Sequence, residues 1–358
     1  MHGPNPMLPR KGAYKLAATL AGILTLCVSL SLPASAAQQA SKTQTSSISK
    51  PKNTSATKNA SQSARKPTPK ATPKAATIRA AKGASAAPAF SRARPVAGLK
   101  LESAAIIVVD ENTGMPMLEK NANKARPVAS ITKLMTAMVI LDAKQSLNER
   151  IQIVGADVDR VKYSSSRLAV GTTLTRKQML KLALMSSENR AAHSLGRTYP
   201  GGMPAFIKAM NRKARALGMK TARFVDPTGL DARNVASPAD LALLVSAAAD
   251  YPAIREYSTA GQAQVAVARA KQTYHNTNPL TQQSNWDIEV SKTGYIQEAG
   301  RCLVMQAVIN GRPTLIVLMD GQRNASRVLD SLAVRRWLEK HDQKRTLKAA
   351  DLLFNDIV

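Results

Sequence analysis

The sequence predicts a domain of mixed α/β class, in its α+β form, with one antiparallel sheet and helices packed on it. Two observations predict this class. Apolar segments of strand length lie near both ends of residues 101–358, and the segments between them show helical periodicity and helix-capping residues. We expect the early strands to join the late strands in a single antiparallel sheet.

The strands are predicted from apolar runs bounded by turn residues. The turn-rich segment 110–114 separates the first two runs, which predicts a hairpin. Asn310-Gly311 separates the last two runs and is the dipeptide that most strongly indicates a hairpin. The five predicted strands lie at 104–109, 115–119, 288–294, 301–309 and 313–319.

The helices are predicted from periodicity and from their first residues. Apolar residues on most faces of 131–143 predict a central, buried helix. Thr175 and Gln178 form a capping box for a helix that reaches about Met185. Ser237-Pro238-Ala239-Asp240 supplies a cap, a proline at the first helical position and an acid in the first turn. Two further helices are predicted at 204–217 and 326–340.

Charge is distributed unevenly along the 358 residues, whose formal net charge is +28. The first 100 residues hold 16 of the 51 basic residues and none of the 23 acidic ones.

A hydrophobic fraction of 44% excludes a wholly disordered chain. Two cysteines cannot form a disulfide framework or a cysteine-rich zinc site. We therefore expect residues 101–358 to form one folded domain.

The N-terminus has the pattern of an export signal. Three basic residues between positions 10 and 15 precede an apolar run at 16–32, and Ala34-Ser35-Ala36 then supplies small residues for signal peptidase. Cleavage after Ala36 is expected, which makes residues 1–36 a signal peptide and the mature protein periplasmic. The alternative is an uncleaved anchor helix, which the short apolar run and the adjacent cleavage site disfavour.

Residues 37–100 are predicted to be a disordered basic tether. They consist mainly of Ala, Ser, Thr, Lys and Pro, and Phe90 is their one aromatic residue. Such a composition cannot bury enough apolar surface to offset the entropy of ordering. The charge suggests contact with an anionic wall polymer or membrane. Nucleic acid is not the expected partner, because single-strand binders interleave aromatic residues with their charges.

A serine and a lysine three residues apart stand at the start of the predicted helix 131–143. Ser130 and Lys133 lie on one helical face, so the hydroxyl and the amine can meet. Serine is a weak nucleophile unless an adjacent base takes its proton, and a desolvated lysine near other cations can stay neutral and act as that base. The same spacing begins at four serines of the tether, and the buried helix distinguishes Ser130 from them.

Two further motifs add polar groups to this candidate site. Ser187-Glu188-Asn189 follows the helix that ends near Met185, and its hydroxyl and amide suit proton relay and carbonyl binding. Lys292-Thr293-Gly294 lies on a predicted strand, where lysine and hydroxyl suit a substrate carboxylate and glycine permits close approach of another backbone. Each motif taken alone also fits ordinary surface or turn residues.

The order and spacing of the three motifs together resemble those of the penicillin-binding proteins. The chain is similar to the low-molecular-mass members, the serine D-alanyl-D-alanine peptidases, over about residues 101–337, and most similar to the D-alanyl-D-alanine endopeptidases at 292–303. The resemblance implies the fold shared by serine β-lactamases and penicillin-binding transpeptidases, with a helical subdomain beside the sheet. The segments that carry the resemblance are 128–136, 185–190, 224–229 and 291–295.

The resemblance also implies a role for each residue. Ser130 attacks the carbonyl of D-Ala to form an acyl-enzyme, Lys133 acts as base, and Ser187 relays the proton. The backbone amides of Ser130 and Tyr295 form the oxyanion hole. Glu188 replaces the more familiar Asp or Gly, and the mechanism does not require its side chain. The residues expected to bind substrate are Asn189, Lys292, Thr293, Gly294 and Tyr295.

A periplasmic serine DD-peptidase that cleaves peptidoglycan cross-links is the function that the resemblance predicts. Stem peptides are its expected substrates and β-lactam antibiotics its expected covalent inhibitors. The alternatives are a carboxypeptidase that trims pentapeptide stems, a serine β-lactamase and a non-catalytic wall-binding protein. Class A β-lactamases deacylate with a glutamate, and no convincing Glu-x-x-x-Asn motif lies between Asn189 and Lys292.

No cofactor or metal is predicted. His193, His275 and His341 are too scattered for metal-ligand spacing, and neither a glycine-rich phosphate loop nor a dinucleotide fingerprint is present. Cleavage of the signal would leave Cys302 as the only thiol, and we expect it to be an inert residue in a strand.

Overall fold

A computed structural model describes residues 98–267 and 270–355, with side chains as far as residue 342. The predicted signal peptide at 1–36 and nearly all of the predicted tether at 37–100 lie outside these residues. The strands are β1 (Ala105–Asp110), β2 (Met115–Lys120), β3 (Arg126–Pro127), β4 (Arg150–Gln152), β5 (Thr173–Thr175), β6 (Val235–Ala236), β7 (Gln262–Val267), β8 (Ala270–His275), β9 (Asp287–Ile296), β10 (Gly300–Ile309) and β11 (Arg312–Gly321). The α-helices are α1 (Thr132–Asp142), α2 (Arg176–Met185), α3 (Asn189–Arg197), α4 (Gly202–Ala216), α5 (Pro238–Ala249), α6 (Pro252–Thr259) and α7 (Ser326–Asn355).

Five antiparallel strands in the order β2-β1-β11-β10-β9 form the main sheet. β1 pairs with β11, which places Ile107 opposite Val317 and joins the early strands to the late ones. The β10–β11 hairpin turns at Asn310 and Gly311, whose φ angles of 51° and 72° suit a tight hairpin turn. The predicted fold class, the shared sheet and both predicted hairpins are confirmed.

Helices cover both faces of the main sheet. Alternate residues of β1 divide the core: Ile107 and Val109 belong to the larger cluster, to which α5 contributes, whereas Ile106 and Val108 belong to a smaller cluster. Val334 of α7 packs into that smaller cluster. A strand that is buried on both faces needs apolar residues throughout, which explains the continuous apolar run of β1.

Helix α1 is the centre of the helical part of the domain. Every residue from Thr132 to Ile140 is buried, and α2, α3, α4 and α5 all contact this helix. Burial on all sides explains why its sequence has apolar residues on most faces. Because α1 is enclosed in this way, the side chains of its first turn are held firmly at the edge of the core.

The predicted helix caps are confirmed. The hydroxyl of Thr175 accepts a hydrogen bond from the Gln178 amide (3.2 Å), and the Gln178 side chain accepts one from the Thr175 amide (2.8 Å). This reciprocal pair begins α2. Ser237 caps α5 by accepting a bond of 3.1 Å from the amide of Asp240.

Some elements were not predicted from the sequence. Helices α3 and α6 and the β7–β8 hairpin are additional, α4 begins two residues before Pro204, and α7 continues beyond residue 340. Helix α3 is short, with nine residues, and its buried face consists largely of small residues such as Ala191 and Ala192. No helix within residues 98–267 and 270–355 is both long and apolar enough to cross a membrane.

A buried carboxylate of α7 fixes the segment that enters β1. Asp330 is 2% exposed, and it accepts hydrogen bonds from the amides of Glu102 (3.0 Å) and Ser103 (2.8 Å). The hydroxyl of Ser103 donates a third bond of 2.6 Å to the same carboxylate. The two ends of the folded domain are therefore joined by hydrogen bonds as well as by strand pairing.

Replacing Asp330 with alanine should destabilise the domain markedly. The substitution leaves two amides and a hydroxyl without their acceptor in a buried place, and we expect the free energy of unfolding to fall by about 2–4 kcal/mol. Glu339→Ala removes an acid from the same helix but breaks only the i,i+4 pair with Arg335, so it should cost about 0.5 kcal/mol or less. Denaturant unfolding measures both values, and equal losses would contradict this account.

Candidate active site

The candidate site is a cleft of about 480 Å³ between the edge strand β9 and the helical part of the domain. The structure brings all three sequence motifs to this cleft. Lys133 and Lys292 lie beneath its surface, with exposures of 0% and 1%. Six of the eight predicted site residues line it directly, namely Ser130, Ser187, Asn189, Thr293, Gly294 and Tyr295.

Ser130 lies in a short 3-10 turn, Ala129–Ile131, that leads into α1. The preceding residue, Ala129, has a φ of 47°, in the left-handed region that residues with a Cβ rarely adopt. Gly294 of β9 packs closely against this turn, because a Cβ added at that glycine would lie 3.1 Å from the Ser130 nitrogen. The expected reason for a glycine in the third motif is therefore confirmed.

Three groups surround the side-chain nitrogen of Lys133. Its Nζ lies 2.6 Å from Oγ of Ser130, 2.8 Å from Oδ1 of Asn189 and 2.9 Å from the carbonyl oxygen of Thr228. The amide and carbonyl oxygens can only accept hydrogen bonds. In a neutral amine both protons therefore go to Asn189 and Thr228, and the remaining lone pair faces the hydroxyl of Ser130.

Burial lowers the pKa of Lys133 from 10.5 to about 7. The carboxylates of Asp226, Glu188 and Asp159 raise it, but by less than burial lowers it. Desolvation is therefore the main cause, as expected, and the charges that act most strongly on this amine are those of the three carboxylates.

The segment 224–231 supplies the carbonyl that holds Lys133. Asp226 accepts hydrogen bonds from the amides of Thr228 (2.6 Å) and Gly229 (2.8 Å), which closes a tight turn. Gly229 has a φ of 82°, and a Cβ there would lie 1.8 Å from the carbonyl oxygen of Ala129. The buried amide of Asn234 links this turn to α1 by donating to Thr132 (3.1 Å). This turn was noticed in the sequence only as part of the family resemblance.

Ser187 and Asn189 lie where α2 gives way to α3. Ser187 has a φ of 62°, and Asn189 is the first residue of α3. The Asn189 side chain accepts from Lys133 and donates to the hydroxyl of Ser164 (2.8 Å), so its orientation is fixed from both sides. Ser164, which the sequence analysis did not identify, also lines the cleft.

Lys292 connects the second motif to the third. Its amine donates to the hydroxyl of Ser187 (3.0 Å) and to the carbonyl oxygen of Thr293 (2.8 Å). Burial, with the charges of Lys133 and Arg327 adding to it, lowers the pKa of Lys292 well below its ordinary value. The hydroxyl of Thr293 donates to Thr277 (2.6 Å), and both threonines line the cleft.

Glu188 has a structural role that was not expected. Its carboxylate is 8% exposed and accepts a hydrogen bond of 2.6 Å from the hydroxyl of Ser166. The loop that contains Ser164 and Ser166 is therefore anchored through the middle residue of the second motif as well as through Asn189. No sequence pattern marks this loop, because serines and a glutamate far apart in the chain carry no periodic signal.

Neither Cys302 nor any of the three histidines in the described residues lines the cleft. Cys302 is buried in β10, where burial raises the pKa of its thiol to about 11, consistent with the inert residue that we expected. His193 contacts Asp157 (2.8 Å), and His341 contacts the carbonyl of Trp337 (3.1 Å). Among the residues that the structure describes, no three His, Cys, Asp or Glu side chains cluster as metal ligands would.

Comparison with known proteins agrees with this geometry. The D-alanyl-D-alanine endopeptidase of Pseudomonas aeruginosa is 45% identical over 251 residues, which are 68% of this chain and 81% of that protein. The Escherichia coli D-alanyl-D-alanine endopeptidase is 43% identical over 242 residues, 67% of this chain and 78% of the relative. The crystal structure of the Streptomyces K15 DD-transpeptidase superposes with a TM-score of 0.62 at 25% identity, and the match covers 66% of this chain and 97% of that one.

The match to a protein family extends over most of the described domain. Residues 89–323 match the family described as D-alanyl-D-alanine carboxypeptidase, and all three motifs lie within this range. Together with the two endopeptidase relatives, this match establishes the family. The chain belongs to the D-alanyl-D-alanine carboxypeptidase family of serine peptidases.

Proposed function

We propose that this protein is a serine DD-peptidase that hydrolyses D-alanyl peptide bonds of peptidoglycan, with Ser130 as its nucleophile. One observation carries the proposal: the buried amine of Lys133, whose pKa burial lowers to about 7, lies 2.6 Å from the Ser130 hydroxyl. That arrangement activates serine for acyl transfer. The other two motifs complete the machinery around it.

The first half of the reaction is acylation. Oγ of Ser130 bonds to the carbonyl carbon of D-Ala while its proton passes to the amine of Lys133. The C–N bond then breaks, and the leaving amine takes up a proton through Ser187, whose hydroxyl is held by Lys292 at 3.0 Å. The backbone amides of Ser130 and Tyr295 stabilise the negative oxygen, an arrangement worth about 2.7–4 kcal/mol per donor in a serine protease.

The second half of the reaction is deacylation. Water adds to the acyl carbonyl, its proton passes to the neutral Lys133, and Ser130 leaves with the proton that restores its hydroxyl. Asn189 positions the substrate carbonyl. Lys292 and the Thr293 hydroxyl attract the substrate carboxylate, and Gly294 keeps β9 close to the nucleophile.

Cleavage of cross-links is the reaction that we propose for this site. The two relatives with 45% and 43% identity are named endopeptidases, whereas the Bacillus subtilis carboxypeptidase is 28% identical. The strand residues that follow Thr293 line the cleft together with Arg301 and Arg327, which suits a leaving group larger than free D-Ala. Trimming of pentapeptide stems attacks the same carbonyl and is the second candidate, because the family match carries that name.

We also propose that the protein works in the periplasm and that its basic N-terminal tail contacts anionic wall polymer or membrane. The proposal rests on the signal-like pattern that ends at Ala36 and on the excess of lysine and arginine before residue 100. A peptidoglycan substrate suits both features.

Penicillin should acylate Ser130 and remain bound for minutes or longer. The intact mature protein should gain one penicilloyl mass, and peptide mapping should place that mass on Ser130. Lys133→Ala should slow the labelling at least about a hundredfold because it removes the general base. Lys220→Ala removes an exposed lysine outside the cleft and should label like the wild type. Rapid hydrolysis of the drug would instead indicate a β-lactamase. The absence of any adduct would indicate a non-catalytic protein.

The same acylation should depend on pH through Lys133. The base must be neutral, so its active fraction grows as pH rises through its pKa of about 7. From pH 5 to pH 8 the second-order rate constant should therefore increase about a hundredfold. A rate constant that stays flat over this range would show that Lys133 is not the titrating base.

Purified cross-linked muropeptides should distinguish the two peptidase reactions. We expect the wild-type protein to convert dimers to monomers, and Ser130→Ala to abolish the conversion. Monomeric pentapeptides should lose D-Ala much more slowly. Chromatography of both digests measures the two rates under identical conditions. If pentapeptides are trimmed faster and the dimers remain uncleaved, the endopeptidase proposal is contradicted and the carboxypeptidase proposal is supported.

Removal of residues 37–95 from the exported protein should weaken its binding to isolated wall or anionic vesicles. Added salt should reduce the difference between the two forms, because screening acts on exposed charges. The melting temperature and the turnover of small substrates should stay the same. A fall in melting temperature of several degrees would show instead that the tail packs on the domain. N-terminal sequencing of the periplasmic fraction tests cleavage after Ala36.

A further inference from the structure

Two arginine side chains in the cleft lack a carboxylate partner within the described residues. Arg301, near the start of β10, and Arg327, in the first turn of α7, both line the cleft. The residues that line this cleft include no Asp or Glu, and its third cation, Lys162, is paired with Glu298. Elsewhere in the described domain arginines such as Arg126 and Arg323 have acidic partners. The cleft therefore attracts anions.

Arg301 is held in place by an aromatic ring rather than by an acid. Its guanidinium lies 3.5 Å from the centroid of the Tyr295 ring, and the two residues are direct partners in the β9–β10 pairing. Stacking fixes the plane of the guanidinium but satisfies none of its N–H groups. Its Nε is buried and has no hydrogen-bond partner. An unsatisfied buried donor of this kind costs free energy unless a ligand accepts from it.

The position of Arg301 indicates which part of a substrate it reaches. Tyr295 follows Thr293 by two residues on β9, which places it about 7 Å farther along the strand. Free D-Ala as leaving group carries a single carboxylate, next to the bond that is cleaved, where Thr293 lies. The leaving stem of a cross-link is a whole peptide with a carboxyl terminus of its own, so it can extend to a second cationic position.

We propose that Arg301, stacked on Tyr295, binds the carboxyl terminus of the leaving stem peptide and thereby selects cross-linked substrates over monomers. The inference rests on the proposed DD-peptidase function and deepens it. A planar guanidinium with free N–H groups suits a carboxylate, which accepts two parallel hydrogen bonds from it. The positive charge of Arg327 beside it strengthens the local field.

Substitution of Arg301 should change the selectivity between dimers and monomers. In Arg301→Gln, kcat/KM for cross-linked dimers should fall about tenfold more than kcat/KM for pentapeptides, and Arg301→Lys should recover part of the loss. Arg323→Gln removes one arginine outside the cleft and serves as the charge-matched control, with no change in the ratio. Equal losses on the two substrates would overturn the proposal and leave Arg301 as a residue of general structural importance.

A dimer whose leaving stem ends in a carboxamide tests the identity of the ligand group. Wild-type protein should cleave this dimer about tenfold less efficiently than the free acid, whereas Arg301→Gln should treat the two dimers alike. Equal discrimination by both proteins would show that Arg301 does not contact this carboxylate.

Binding measurements separate this proposal from the proposed reaction. In a Ser130→Ala background, which cannot form an acyl-enzyme, Arg301→Gln should weaken binding of the dimer about tenfold more than binding of the pentapeptide. Wild-type protein that leaves dimers uncleaved would refute the endopeptidase function, but a selective loss of dimer binding would still support the role of Arg301. Equal binding of the dimer with and without Arg301 would overturn that role, whatever the turnover.

Discussion

The structure depends above all on one buried amine. Lys133 has no solvent contact, and its nitrogen is satisfied by a hydroxyl, a side-chain amide and a backbone carbonyl from three separate parts of the chain. A charged ammonium would lose its hydration here, so the neutral form is favoured. Each of the three partners must then be in place before substrate arrives. The packing of the surrounding elements holds these three partners around the amine.

Close backbone packing supplies that placement. The two serines of the catalytic motifs each lie beside or in a left-handed backbone conformation, at Ala129 and at Ser187. Such conformations cost about 1–3 kcal/mol each and persist only where the surrounding structure determines them. Gly229 and Gly294 let two further segments approach the Ser130 turn more closely than any side chain would allow. Strain at the nucleophile is therefore offset by packing that only glycine permits.

Much of the fold was predictable because its signals are local or periodic. The apolar runs of β1, β10 and β11 and the caps at Thr175 and Ser237 identify their elements directly. The three motifs were equally predictable, since each consists of three or four consecutive residues in the sequence. The contacts that orient them were not, because Thr228, Ser164 and Glu188 act through single hydrogen bonds between distant segments. The unpaired state of Arg301 is likewise a property of the folded chain alone.

The separation of charges across the site explains how a neutral base and an anionic substrate can coexist. The carboxylates of Asp226, Glu188 and Asp159 act on Lys133 but do not line the cleft, and each is held by amide or hydroxyl donors. The cleft itself is lined by cations without any acid. The three carboxylates favour the charged form of the Lys133 amine, whereas burial favours the neutral form. Burial has the larger effect, and the pKa of Lys133 is therefore about 7. Because the cations face the cleft, substrate carboxylates can be attracted there without contact with the base.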